Sequence, residues 1–95
     1  MQKTGILALR KRLAALNRQL ASIGPVMRGS VVVIGTRNKQ PYFSLNKDKR
    51  TKIIYLGKRR EQKARKYSEN YKRLLEIVDA MTIINMELLK NDACE

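Results

Sequence analysis

The stretch from Lys58 to Leu89, KRREQKARKYSENYKRLLEIVDAMTIINMELL, decides how the rest of the chain is read. Its 32 residues include neither Pro nor Gly and are rich in Lys, Arg, Glu, Leu and Met, all good helix formers. Tyr67, Tyr71, Leu74, Val78, Met81, Asn85 and Leu88 recur at alternating intervals of four and three, which lays one seam along a helix. A helix of that length runs roughly 48 Å at about 1.5 Å per residue, too long for the core helix of a small globule. Charge divides it. Lys58 to Arg73 holds eight basic and two acidic residues, whereas Leu74 to Glu95 holds one basic and five acidic. The spacing predicts a half that packs and a half that binds.

Outward from this helix, the N-terminal segment repeats its pattern. Between residues 3 and 23, Ile6, Leu9, Leu13, Leu16, Leu20 and Ile23 follow at intervals of three and four, a strict amphipathic stripe. Thr4 is its N-cap candidate, and Gly24-Pro25 stops it. The period then changes. Ser30 to Ile34 is β-branched and predicts a strand, Pro41 to Leu45 a second and Thr51 to Leu56 a third. The polar turns Gly35–Gln40 and Asn46–Arg50 join them into an antiparallel meander. The expected fold class is α+β: an antiparallel, coiled-coil-like helical hairpin with a three-stranded β-meander at its tip. One domain, 1–95, is expected, with helices over 3–23 and 58–90 and the meander over 30–56.

Composition narrows the functions open to such a chain. Only five of 95 residues are aromatic and none is Trp, so an elongated fold or a homodimer through the helices is expected over a compact monomer. There is no His and one Cys, Cys94, read as a free thiol. Cys/His metal sites, disulfide frameworks and any His general base are thereby excluded. The acids fall mostly on helical faces, and no Gly-rich phosphate loop is present. The reading is a protein that is not an enzyme and needs no cofactor. No apolar run reaches the roughly 18 residues of a membrane span, and no signal-peptide pattern opens the chain, so no membrane and a cytoplasmic location are expected.

Net charge is +13, and its placement points to a polyanion. Residues 1–29 carry no acid, and antiparallel pairing would set that helix beside Glu76, Asp79, Glu87 and Asp92, neutralising both. The meander and Lys58–Arg73 have no such counterweight. Lys58, Arg59 and Arg60 occupy the predicted first turn, where the helix dipole disfavours cations by roughly 0.3–1 kcal/mol each and free N–H groups favour a phosphate. A helix starting later, near Ser68-Glu69, would leave them in a solvated linker. Lys63, Arg65 and Lys66 extend the positive surface, with Glu61–Arg65 and Glu69–Arg73 as helical i,i+4 pairs. Arg37, Lys39, Lys47, Lys49, Arg50 and Lys52 lie in the turns and third strand. Tyr42, Phe43 and Tyr55 are candidates for stacking on bases. Tyr42 and Phe43 point to opposite faces, with Phe43 assigned to the core. Asn85, on the seam, is read as a buried register-setting amide.

Leu75, Ile77, Ile83, Ile84 and Leu89 lie off the main seam, more apolar surface than one partner helix covers, which predicts a four-helix bundle of two hairpins. The expected activity is backbone-gripping binding of nucleic acid, DNA or RNA, a ribosome-associated or RNA-chaperone-like role sharing the same charge pattern. A second reading is a small basic coiled-coil adaptor or inhibitor that docks on an acidic surface of a larger protein.

Met27-Arg28-Gly29-Ser30-Val31, Pro41-Tyr42-Phe43-Ser44-Leu45, Tyr55-Leu56-Gly57-Lys58-Arg59, Glu69-Asn70-Tyr71-Lys72-Arg73-Leu74 and Ile84-Asn85-Met86-Glu87-Leu88-Leu89 stand in this order. Over residues 5 to 90 this arrangement resembles a family of short bacterial and archaeal proteins of unknown function, often found near mobile-element (transposase) genes. Many of those relatives carry several Cys in the loop before the Pro-Tyr block. This chain has Gly35–Gln40 there, so the resemblance implies no metal. It makes nucleic acid a natural partner and implies no catalytic residue.

Overall fold

The computed structural model describes residues 3–91, with side chains from Gly5 onward; the expected roles of Thr4, Asp92 and Cys94 lie outside the described side chains. The element order is helix α1 (Lys3–Ala21), strands β1 (Ser30–Ile34), β2 (Gln40–Lys47) and β3 (Arg50–Tyr55), and helix α2 (Gly57–Lys90). The expected helix–β–β–β–helix architecture is therefore present, each element within one or two residues of its predicted ends. The chain divides into two compact units, 24–72 and the residues on either side of it, both built on α2.

The helical unit is an antiparallel hairpin. Leu13 is buried with Ile84 and Leu88, and Ile6, Leu9, Leu16 and Met81 pack around them. Near the other end of α1, the Arg73 guanidinium donates to the Gln19 side-chain oxygen at 3.3 Å. The α1 stripe is thus the buried one, as its spacing predicts. On α2 the buried seam keeps Met81 and Leu88 and takes Ile77 and Ile84 in place of the expected Val78 and Asn85. Ile77 and Ile84 are buried at 3% and 2% exposure, while Val78 and Asn85 face outward. Met81 and Leu88 keep their expected places in the core, so the helix is turned by about 50°, half of one residue's step, relative to the expected seam. The rotation places Ile inside and leaves the Asn85 amide in water, avoiding the cost of a buried unpaired polar group. Within α2, Arg65 pairs with Glu61 and Lys90 with Glu87, while Lys11, Arg12 and Arg18 form no ion pair with Glu76 or Asp79.

In the other unit β2 is central, in the order β1-β2-β3, both pairs antiparallel. Pro41 sits in this central strand, where a missing N–H would ordinarily break the ladder. Its carbonyl accepts the Leu56 N–H at 3.0 Å, so its ring nitrogen turns to the same side, beyond Tyr55, where β3 has ended. No rung is lost. Asp48 and Lys49 form the β2–β3 turn with φ of 54° and 62°, the left-handed pair of a two-residue hairpin. The outer edge of β1 has no main-chain partner among the described residues.

Phe43, Leu56 and Ala64 form the buried centre between sheet and helix, with Met27, Val31 and Leu45 against it. Gly29 makes this possible: with φ of 146°, a Cβ there would lie 2.6 Å from the Ser44 oxygen and 2.7 Å from the Phe43 ring. The connector from α1 to β1 is fastened to α2 by three bonds. Asn70 donates to Pro25 O (2.8 Å), the Met27 N–H to Tyr67 O (3.1 Å) and Ser68 to Gly29 O (2.7 Å). Both Ser68 and Asn70 are buried at 8% exposure, and these bonds satisfy them.

Candidate nucleic-acid interface

Strand alternation sorts the side chains of the meander onto two faces. Phe43, Leu45 and Lys47 share the helix-facing side, and the register adds Arg50 opposite Lys47 and Lys52 opposite Leu45. Lys47, Arg50 and Lys52 are exposed and line one concavity with Asp48. The register therefore gathers into one cluster cations that the sequence spreads over six positions, with Lys49 in the turn beside them. Arg28 approaches the same end, donating to Asn46 O at 3.0 Å, and Thr51 donates to the Asn46 side chain at 2.6 Å.

At the opposite end of the strands lie Arg37 and Lys39, in the β1–β2 turn, and Lys58 and Arg59, in the first turn of α2, all exposed. The helix begins at Gly57 and carries no acid in its first turn, so the later start near Ser68 is not adopted. The dipole cost on these cations stands. Arg60 differs from its neighbours. It reaches back, donating from Nε to Leu56 O at 2.8 Å and from Nη2 to Tyr55 O at 3.0 Å, and so closes the strand-to-helix junction. Two of its donors are spent on the fold.

Farther along α2, Arg65 holds Glu61 through Nε and Nη2 at 3.0 and 2.8 Å, as its spacing predicts. Lys63 borders an apolar groove with Met27, Leu56, Ala64 and Tyr67, and Lys66 is exposed. The twelve predicted site residues thus fall into three sets: one around the Asp48-Lys49 turn, one at the other end of the meander, and one on the helix. Five strand positions separate Tyr42 from Lys47, so the two meander ends stand roughly 17 Å apart.

The outer face of the sheet differs in character. Val32, Ile34, Tyr42, Ser44, Ile53 and Tyr55 occupy it, and its strand positions carry no charge. Tyr42 and Tyr55 are cross-strand partners, ring centroids 5.4 Å apart at 67°, edge to face. The Tyr55 hydroxyl donates to Gln40, which in turn donates to Asn38. Of the three aromatic stacking candidates, Phe43 is in the core, while Tyr42 and Tyr55 are on this open face.

No periodicity or motif marks Ser68 and Asn70 as fasteners or Arg28 as a neighbour of the turn cluster. Only the Gly-Pro stop before β1, which requires the chain to double back, hinted that something on α2 must hold it. Among the described residues no helix is long and apolar enough to cross a membrane, and no three acidic or thiol side chains gather as metal ligands do. Comparison with family models, curated proteins and solved structures finds no match.

Proposed function

We propose that the protein binds nucleic acid without catalysing a reaction, gripping the phosphate backbone with the basic meander and the N-terminal part of α2. The observation that carries this reading is the charge of one unit. Residues 24–72 hold fourteen Lys and Arg against three acids, of which Glu61 is engaged by Arg65. A solvated structural surface would mix its signs, and this one does not.

The ligand's size follows from the layout. Two exposed cationic groups at opposite ends of strands about 17 Å long can be neutralised together only by an extended polyanion, not by a single phosphate. Duplex DNA, single-stranded DNA and structured RNA all meet that description. The cations are the groups that would meet phosphates, so affinity rests on phosphate contacts and falls with salt.

Fluorescence anisotropy of the three labelled ligands over a salt series tests this. A log–log slope near −0.9 per phosphate neutralised on duplex is expected, or about −0.7 on single strands. No binding to any of them near physiological salt would sink the proposal. One observation favours the second reading, a small basic adaptor or inhibitor docking on an acidic protein, here in the setting of a mobile element. The uncharged outer face with Ile34, Ile53 and Tyr55 is the kind of exposed apolar surface that a protein partner covers. Capture of a partner through that face, with no affinity for nucleic acid, would support it.

A further inference from the structure

The helical hairpin carries a second apolar side. On α2, Leu75, Val78, Met86 and Leu89 form a stripe with Thr82 between them, and each is between 44% and 59% exposed. On α1, Leu7, Ala14 and Ala21 recur every seven residues, all exposed, Leu7 at 63%. At about 100° per residue, each stripe lies roughly 120° beyond the buried seam of its own helix, in the same rotational sense. Because α1 and α2 run antiparallel, equal rotations bring both stripes to one side of the hairpin. That side has the large α2 side chains and, on α1, Leu7, Ala14 and Ala21 with Arg10 and Asn17 among them.

We infer that a second copy of the chain covers this side. The two hairpins form a four-helix bundle about a two-fold axis parallel to the helices, the α2 stripe of each copy lying on the α1 stripe of the other. Large side chains of α2 then lie over Ala14 and Ala21, as close packing between helices requires. Five large side chains per copy offer on the order of 500 Å², so two copies reach about the 1,000 Å² at which specific interfaces begin.

Charge selects a second copy over another apolar partner. Lys11 and Arg18 flank the α1 stripe on its side away from α2, and Asp79 flanks the α2 stripe on its side away from α1, with Glu76 farther round the helix. None of the four has an ionic partner in the hairpin. Leu13 is level with Ile84 and Leu88, and Gln19 reaches Arg73, so Arg18 is level with the turn from Glu76 to Asp79. Under the two-fold axis, Arg18 of the second copy arrives beside that turn on its open flank. The hairpin is complementary to itself in shape and in sign, and the contact is independent of any nucleic acid.

Sedimentation equilibrium of the full chain tests the bundle. At about 100 µM, above the micromolar constants that marginal interfaces reach, the expected mass is twice 11.0 kDa. Val78→Glu with Met86→Glu, both exposed in the hairpin, should give a monomer of unchanged circular dichroism. Arg18→Glu should weaken the dimer at least about tenfold, and adding Asp79→Arg should restore it. A parent that remains monomeric overturns the inference, as does a dimer that survives the double Glu variant. Failure of the paired exchange to restore affinity overturns the two-fold arrangement.

Discussion

Ser68 Oγ donates a hydrogen bond to the carbonyl oxygen of Gly29 at 2.7 Å, joining residues 39 positions apart in the chain. The bond holds the approach to β1 against α2 at the point where Gly29 lets the Phe43 ring pass. Two substitutions separate these contributions. Gly29→Ala forces a methyl against the Ser44 carbonyl and the Phe43 ring at a φ that disfavours Ala. It should cost more than about 2 kcal/mol in chemical denaturation. Ser68→Ala should cost about 1–2 kcal/mol, the value of a partly buried hydrogen bond. Parental stability for the Gly29 variant would mean that the ring does not approach as described.

Lys49 invites the opposite change. It holds φ of 62° in the second central position of the hairpin turn, where Gly is at ease and a side chain costs about 1 kcal/mol. Lys49→Gly should raise the melting temperature by roughly 4–8 °C for a domain of this size. An unchanged or lower melting temperature would argue for a different turn.

The displaced seam of α2 makes a pair of contrasting predictions. Ile84, 2% exposed in the helical core, should cost about 2–5 kcal/mol when changed to Ala. Asn85→Ala should fall within about 0.5 kcal/mol of the parent, because its side chain is in solvent. A large effect at Asn85 would restore the expected seam and refute the observed one.

Binding should depend on where charge is removed. Lys47→Gln, Arg50→Gln and Lys52→Gln together remove the cations gathered beside Asp48 and should shallow the salt slope by up to about three units. Arg65→Gln should change it less, because that guanidinium is already held by Glu61. Equal effects from the two variants would mean that the turn cluster is no special point of contact.

Much of this architecture was legible because its signals were redundant. Val31-Val32-Val33-Ile34 can hardly be anything but a strand, and the α1 stripe admits one phase only. The phase of α2 was not legible, since Ile77-Val78 and Ile83-Ile84 are adjacent apolar pairs and either member can carry a seam. Only packing against Leu13 decides between them. The faces of β3 were hidden for a related reason: Ile53, Ile54 and Tyr55 do not alternate, and their sides follow from pairing with Ser44, Phe43 and Tyr42. Single hydrogen bonds across long separations, such as Asn70 to Pro25, leave no periodic trace. At the candidate interface the residue types were readable, but their grouping was not. Arg60 shows the difference: by composition it is one of three equivalent cations, yet its guanidinium is turned onto the backbone.

The two sheet edges are guarded differently. β3 carries Arg50 and Lys52 on its own strand, whereas β1 is five uncharged residues with its outer hydrogen-bonding groups open. What keeps two β1 edges apart is the field of the unit around them, and that field has a range of about 10 Å at 0.1 M salt and about 3 Å at 1 M. Its guard is a cushion, and concentrated salt deflates it. Concentrated salt that would release a bound polyanion would therefore also bring bare strands within reach of one another.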